Sequence, residues 1–261
     1  MAGKMVAVII PIYKPQPNAN ELVSLKQCIR VLKKYPIIFI GPFKLNTTAY
    51  EDICRDHIPF NLTLFDDDYF SGIEGYNKLM LSSTFYKTFL DYKYILIHQL
   101  DAFVFKDELA YWCTKNYDFI GAPNLPHENQ ANEIQFLKGY SKLLSAANRI
   151  FKTDHKISNV GNGGFSLRKT KTCYWLLKLL KSKTSAWGTN NEDGFFKYWG
   201  NLLHPFFSLP ADDTALRFSI EHSPQESLKK LNNELPFGCH AFEKHEPEVW
   251  EKYISSFQNL Y

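Results

Sequence analysis

The stretch YILIHQLDAFVF, residues 94–105, decides the fold of this 261-residue chain. Its first half, residues 95–97, is apolar without alternation, which predicts a strand buried on both faces of a sheet. Two polar residues and then the carboxylate of Asp101 follow where this strand ends. Because open α/β sheets bind ligands at the carboxyl ends of their strands, we expect Asp101 to form the floor of an active site.

Strand and helix patterns alternate around this stretch. Apolar, β-branched runs at 6–12, 37–40 and 62–65 predict further strands, and amphipathic patterns over 21–34 and 74–90 predict helices. This alternation predicts an α/β fold with a mostly parallel central sheet, right-handed crossovers and helices on both faces. The remaining predicted elements are helices at 47–57, 108–115, 140–152, 170–183 and from 190, and strands at 118–122 and after the glycines of 161–164.

Composition excludes several classes of protein. The formal net charge of +3 excludes a strongly basic nucleic-acid-binding protein. The five cysteines are widely spaced without a Cys-x-x-Cys pair, which indicates reduced thiols in a cytosolic protein. The apolar run near the N-terminus is short and interrupted by Pro11, which predicts a strand instead of a signal peptide. We expect a cytoplasmic protein. Peripheral contact with the inner face of a membrane is compatible with this expectation.

Five motifs follow one another along the chain. They are VIIPIYK at 8–14, LDAFVF at 100–105, GNGGFSLR at 161–168, NED at 191–193 and FGCH at 237–240. In this order and spacing they resemble the nucleotide-sugar-dependent glycosyltransferases of the GT-A fold. Within that class the chain most resembles a little-characterised bacterial group of domains of unknown function related to glycosyltransferases.

The resemblance implies a fold and a division of the chain. The fold would be GT-A-like and Rossmann-related. Residues 1–261 would form a single domain, with a nucleotide-sugar-binding half at 1–125 and an acceptor-binding half at 126–261. A polar, irregular segment at 124–139 is expected to be a lid or an acceptor-side loop.

The resemblance also implies a divalent cation, Mn²⁺ or Mg²⁺, at the donor diphosphate. Asp101 would belong to the Asp-x-Asp motif and His240 would be a further metal ligand. Phe103 stands where the pattern places a second aspartate, which leaves metal dependence open. The alternatives are that Asp101 caps a turn, that His240 is a packed core residue, and that His245 is the competing histidine, although its charged surroundings indicate solvent surface.

Asp193 is the expected general base. Glycosyl transfer needs a carboxylate within hydrogen-bond reach of an acceptor hydroxyl, and the resemblance assigns that role to the NED motif. Glu192 beside it would orient the acceptor. The alternative is that both side chains only cap the helix that begins there.

Other candidates flank these residues. Gly163 and Gly164 are expected on the acceptor side, because glycine lets backbone amides approach a ligand closely; the alternative is a tight turn. Asn77 and Lys78 are candidates for the nucleotide side, or else the solvated face of a helix. Tyr13 is a candidate to stack on the base, or else a core or rim residue.

Two functions follow from these expectations. The first is an enzyme that transfers a sugar from a nucleotide-sugar donor to a hydroxyl of a glycan, or of a lipid-linked or lipopolysaccharide-type acceptor, with inversion if Asp193 is the base. Such an enzyme would serve polysaccharide biosynthesis. The second is a non-catalytic module that binds nucleotide sugar or glycan on a degenerate glycosyltransferase fold. The second function stays open because Phe103 stands in place of the second aspartate of the motif. The acidic pair at 192–193 argues against it, because a module that only binds needs no base.

Overall fold

The computed structural model describes residues 4–124, 140–187 and 191–258. The loop expected at 124–139 therefore lies outside the described residues, apart from Asn124. In the described part, strands and helices alternate along the first half of the chain as the sequence predicts. The strands are β1 Lys4–Pro11, β2 Ile37–Pro42, β3 Leu62–Phe65, β4 Tyr92–His98, β5 Ala102–Val104, β6 Phe119–Ile120, β7 Phe165–Lys169, β8 Ser219–Ile220 and β9 Gly238–His240.

Twelve α-helices connect or follow these strands in the described residues. They are α1 Ala19–Leu32, α2 Thr48–Cys54, α3 Gly72–Met80, α4 Ser83–Thr88, α5 Leu109–Thr114, α6 Tyr140–Phe151, α7 Thr170–Leu179, α8 Lys181–Trp187, α9 Glu192–Leu202, α10 Asp212–Phe218, α11 Pro224–Lys230 and α12 Pro247–Gln258.

The central sheet has six strands in the order β3-β2-β1-β4-β7-β6. The first four run parallel, and β7 pairs antiparallel with both β4 and β6. This mostly parallel sheet confirms the predicted α/β class. Strand β4 is covered on both faces: Tyr94 and Leu96 pack in one hydrophobic cluster, and Ile95 and Ile97 in another. The unbroken apolar pattern of the strand follows from this double burial.

A second sheet of three short strands, β5-β9-β8, lies beyond the end of β4. A turn joins β4 to β5, where the Ala102 amide donates to the Gln99 carbonyl at 3.0 Å. Helix α1 holds β5 in place, since Ser24 Oγ and Gln27 Nε2 donate to the carbonyls of Ala102 and Val104. The chain therefore passes from the central sheet to the second sheet between His98 and Ala102. The polar residues Gln99 and Asp101 lie in the turn between the two strands.

Two predicted helices are each divided in two. The pattern over 74–90 forms α3 and α4, separated at Leu81 and Ser82, because Ser82 starts a new helix by accepting the Thr84 amide at 3.2 Å. The pattern over 170–183 forms α7 and α8, which meet at Leu180. The buried residues of the second pair all lie on α7, since α8 has none. Within the described residues, no helix has the length and hydrophobicity needed to cross a membrane.

Candidate active site

A cavity of about 730 Å³ opens at the carboxyl ends of β1 and β4. This volume is in the range of small-molecule sites in proteins. The cavity gathers most of the residues singled out in the sequence. Its lining includes Tyr13, Asn77, Asp101, Gly163, Gly164, Glu192, Asp193 and His240.

One wall of the cavity is built where β4 passes into β5. Gln99 and Asp101 are two residues apart in this turn, and the Gln99 amide donates to the Gly164 carbonyl at 2.8 Å. His240 ends β9, which pairs antiparallel with β5 so that His240 lies opposite Ala102. The pairing of the two short strands thus brings Gln99, Asp101 and His240 together.

His240 is the centre of a polar cluster. Its Nε2 lies 3.1 Å from Asp101 Oδ1 and 3.1 Å from Gln99 Oε1. Its Nδ1 lies 3.1 Å from Glu221 Oε1 and 2.7 Å from Asn162 Nδ2. Both ring nitrogens of the histidine are therefore engaged, by four groups from three separate segments of the chain.

Charge shifts the pKa values of this cluster. Burial alone would lower the pKa of His240, but hydrogen bonds and attraction from Asp101 and Glu221 raise it to about 9. Burial alone would raise the pKa of Asp101, but His240 and Lys244 lower it to about 2. The cluster thus favours a positive charge between two carboxylates.

These residues fit a divalent cation. Asp101 Oδ1, Gln99 Oε1 and His240 Nε2 converge, and one carboxylate with neutral donors is a usual protein contribution to a Mg²⁺ or Mn²⁺ site that substrate phosphates complete. Gly164 leaves the space open, because a Cβ on it would lie 2.0 Å from His240 Nε2 and 2.7 Å from Gln99 Oε1.

Phe103 has no part in this cluster. Its side chain is fully buried against Phe105 and Phe242 in a hydrophobic cluster beside the second sheet. Phe103 therefore supplies no ligand, and the other polar side chain near Asp101 in this turn is that of Gln99, two residues earlier. The side chain at position 103 belongs to the core because β5 has already begun at Ala102.

The N-terminus of α9 forms the other wall, and the glycine-rich loop contacts it. The backbone amide of Asn162 donates to Asp193 Oδ2 at 2.5 Å. Burial and the neighbouring charge of Glu192 raise the pKa of Asp193 to about 6, against the lowering effect of amide hydrogen bonds from Asn162 and Gly194. A buried carboxylate with this pKa is suited to accept a proton near neutral pH.

Glu192 is held by a buried cation. Arg168 Nη2 donates to Glu192 Oε1 at 2.7 Å and to the Gly163 carbonyl at 3.1 Å. The guanidinium also donates to Tyr86 Oη at 2.8 Å and is fully buried. Glu192 therefore fixes the N-terminus of α9 against the loop through Oε1, and its role in orienting the acceptor stays a prediction.

The predicted nucleotide-side residues differ in position. Asn77 is buried at the cavity wall on α3. Tyr13 lies at the rim with 56% of its surface exposed. Lys78, on the same helix as Asn77, is exposed and lies outside the cavity lining, so the structure does not bring it to the site. The helical turn separates the two neighbours by pointing them in different directions.

The predicted acceptor-side glycines are close to other parts of the site. A Cβ on Gly163 would lie 1.9 Å from Glu192 Oε1, and Gly164 faces His240. The loop therefore bridges the two walls of the cavity instead of belonging to one of them.

Four site residues were missed in the sequence: Gln99, Asn124, Asn162 and Glu221. Gln99 and Asp101 have the spacing of an Asp-x-Asp pair with glutamine at its first position, so Gln99 could have been included as a candidate from the sequence. Asn162 sits inside the quoted glycine-rich motif. Asn124 Oδ1 is buried without a hydrogen-bond partner and lines the cavity. Glu221 carried no local signal, because only strand pairing brings it beside His240.

The fold is that of the GT-A glycosyltransferases. It is similar to the galactosyltransferase LgtC in complex with donor and acceptor sugar analogues, with a TM-score of 0.54, 12% identity and coverage of 96% of this chain and 95% of that one. It is also similar to mouse xyloside xylosyltransferase 1, with a TM-score of 0.52, 13% identity and coverage of 90% and 96%. Core-mannan synthase A of Aspergillus fumigatus, in a Mn/GDP form, has a TM-score of 0.50, 12% identity and coverage of 82% and 72%.

Sequence comparison adds a family. No curated protein sequence matches the chain significantly. The model of a family described as protein of unknown function (DUF5672) matches residues 59–240, which include the turn after β4, the glycine-rich loop, the start of α9 and His240. The chain belongs to the DUF5672 family and has the GT-A glycosyltransferase fold.

Proposed function

We propose that the protein is a glycosyltransferase that moves a sugar from a nucleotide-sugar donor to a hydroxyl of a glycan or glycolipid acceptor. One observation carries this proposal: a single cavity places Gln99, Asp101 and His240 on one wall and the carboxylate of Asp193 on the other. The first set suits a diphosphate with its cation, and the second suits an acceptor hydroxyl.

The donor would bind along the carboxyl ends of β1 and β4. Asp101, Gln99 and His240 would hold Mn²⁺ or Mg²⁺. When bound, the cation supplies positive charge that stabilises the diphosphate as the bond to the sugar breaks. Asn77 at the cavity wall and Tyr13 at the rim would contact the nucleoside, Tyr13 by offering the face of its ring.

Asp193 would act as the general base. Its carboxylate takes the proton of the acceptor hydroxyl while the acceptor oxygen bonds to the anomeric carbon. The bond from that carbon to the diphosphate oxygen breaks, and the nucleoside diphosphate leaves with the electron pair. Attack from the side opposite the leaving group inverts the anomeric configuration. Glu192 would position Asp193 through its contact with Arg168.

In the proposed acceptor-binding half, residues 126–261, helix α6 would offer a surface suited to a lipid-linked acceptor. Helix α6 packs against α9 through Tyr140, whose hydroxyl donates to the Tyr198 carbonyl at 2.9 Å. Ile150 on α6 and Phe206 are each 70% exposed. Exposed basic side chains accompany them at 142, 149 and 152. Apolar and basic side chains together favour peripheral binding to an anionic membrane. This placement suits an enzyme of polysaccharide biosynthesis on the cytoplasmic face.

The alternative is a module that binds nucleotide sugar without turnover. The argument for it is that Phe103, a core residue, supplies no second carboxylate beside Asp101. The raised pKa of Asp193, a buried carboxylate in the cavity, supports the enzyme. Burying an ionisable carboxylate reduces the stability of the fold, and a protein that only binds has no use for the proton acceptor that this provides.

The test is release of nucleoside diphosphate from a panel of sugar nucleotides, with and without Mn²⁺. We expect one donor to be turned over by the wild-type protein, and release to fall by roughly 10²-fold or more in Asp193→Asn. Asp154→Asn, a substitution at an exposed aspartate, is the matched control. Undiminished release by Asp193→Asn would contradict the base assignment, and a donor that binds without turnover would support the binding module.

A further inference from the structure

A second group of side chains that could bind a metal includes two residues of the cavity lining, Glu221 and His222. Glu221, His222 and His245 each offer one ligand atom, and these atoms lie within 4.8 Å of one another. Within the residues that the structure describes, no other group of three or more His, Cys, Asp or Glu side chains meets this criterion. None of the three belongs to the proposed donor-side set, which consists of Gln99, Asp101 and His240.

The contacts within the group are compatible with one shared ion. His222 Nε2 lies 3.5 Å from Glu221 Oε2. The rings of His222 and His245 have centroids 4.4 Å apart at an interplanar angle of 75°. The other carboxylate oxygen of Glu221 faces His240 Nδ1 at 3.1 Å. Glu221 therefore has one oxygen for His240 and another for the group.

Two loops bring the group together. Glu221 directly follows β8, which runs parallel to β9 with Ile220 opposite Cys239. The residues directly after the two histidines, Ser223 and Glu246, both have positive φ, 46° each. A hydrogen bond joins the loops, since the Gln225 amide donates to Glu246 Oε2 at 2.9 Å. Non-glycine residues in this conformation need support from surrounding contacts, which an ion joining the loops would add.

We propose that Glu221, His222 and His245 bind a zinc ion that joins these two loops beside the cavity. Two imidazoles and one carboxylate are ligands that zinc uses with a fourth position left for water. Mn²⁺ and Mg²⁺ prefer oxygen ligands, so the two sites differ in the metal they select. The ion would hold Glu221, and through it the ring of His240, in position. This inference does not depend on the proposed transfer reaction.

The test measures zinc directly. The protein, stripped of metal, is titrated with Zn²⁺ against a chromophoric chelator. Excess Mg²⁺ is present to occupy the donor-side set of Asp101, Gln99 and His240. We expect one equivalent of zinc to bind, and His222→Ala and His245→Ala each to weaken binding more than about tenfold. His57→Ala, at an exposed histidine, is expected to bind like the wild type. The five cysteines are all buried and do not compete in the folded protein.

Two further readouts complete the test. Co²⁺ in place of Zn²⁺ should give the visible absorption of a four-coordinate nitrogen and oxygen site, and the absorption should be lost in the double variant His222→Ala/His245→Ala. Zinc should raise the thermal unfolding midpoint of the wild type and leave that of the double variant unchanged. Absence of zinc binding in excess Mg²⁺, or equal binding by wild type and double variant, would overturn the inference. Neither result would bear on donor turnover.

Discussion

The backbone amide of Asn162 donates a 2.5 Å hydrogen bond to Oδ2 of Asp193. The side-chain amide of the same asparagine contacts His240 Nδ1 at 2.7 Å. Its side-chain oxygen accepts the amides of Gly164 and Phe165 at 2.9 and 3.2 Å. Asn162 thus joins the proposed base on one wall to the donor-side cluster on the other.

Asn162 has a positive φ of 69°, which asparagine and glycine adopt more easily than alanine. We expect Asn162→Ala to lower the free energy of unfolding by roughly 1–2 kcal/mol more than Asn162→Gly does. Both variants lose the side-chain contacts, so the difference between them comes from the backbone, where strain in alanine outweighs the larger entropy that glycine loses on folding. Chemical denaturation measures the difference, and equal stability of the two variants would contradict the strain argument.

Gly164 leaves the space in which Asp101, Gln99 and His240 converge. We expect Gly164→Ala to weaken binding of nucleoside diphosphate with Mn²⁺ more than about tenfold, because its Cβ would lie 2.0 Å from His240 Nε2. Isothermal titration calorimetry measures the affinity, and circular dichroism shows whether the variant is folded. Wild-type affinity in a folded variant would count against the proposed cation site.

Asp193 must be ionised to accept a proton. Because its pKa is raised to about 6, we expect kcat/KM to be level above that pH and to fall about tenfold per pH unit below it. The measurement is a pH profile of nucleotide release with saturating cation and acceptor. A profile that stays level down to pH 5 would show that a different group limits the rate.

Ionised Asp193 also has a stability cost. Its folded pKa of about 6 exceeds the ordinary value of 3.8, so the folded state is favoured most below the lower value and loses that advantage as pH rises to the upper one. At pH 7 we therefore expect Asp193→Asn to be as stable as the wild type or more stable by roughly 1–3 kcal/mol. Near pH 4 the difference should shrink. Thermal unfolding at both pH values measures it, and a variant less stable than the wild type at pH 7 would contradict the assignment.

Much of the fold followed from local patterns. The unbroken apolar run of β4 predicted a strand covered on both faces, and the two hydrophobic clusters on either side of it confirm this. Helix α1 was also predicted, because its apolar residues repeat at helical spacing. The division at Ser82 was missed because a capping hydroxyl within an amphipathic pattern does not interrupt the spacing of apolar residues.

The site was harder to predict, because its contacts are between distant residues. The predicted residues Asp101, Asp193 and His240 do line one cavity. Glu221 lies beside His240 only through the pairing of β8 with β9, which two-residue and three-residue strands do not signal in sequence. Phe103 stands where the motif would place a second aspartate, and its position in the core follows from the start of β5 at Ala102, which so short an apolar run does not predict.

A crystal structure of the protein soaked with a nucleoside diphosphate and Mn²⁺ tests the central claim most directly. The account predicts an anomalous peak for manganese ligated by Asp101, Gln99 and His240 and by the diphosphate oxygens, with the nucleoside extending toward Asn77 and Tyr13. Manganese or diphosphate bound elsewhere, with these three side chains still contacting only one another, would contradict it.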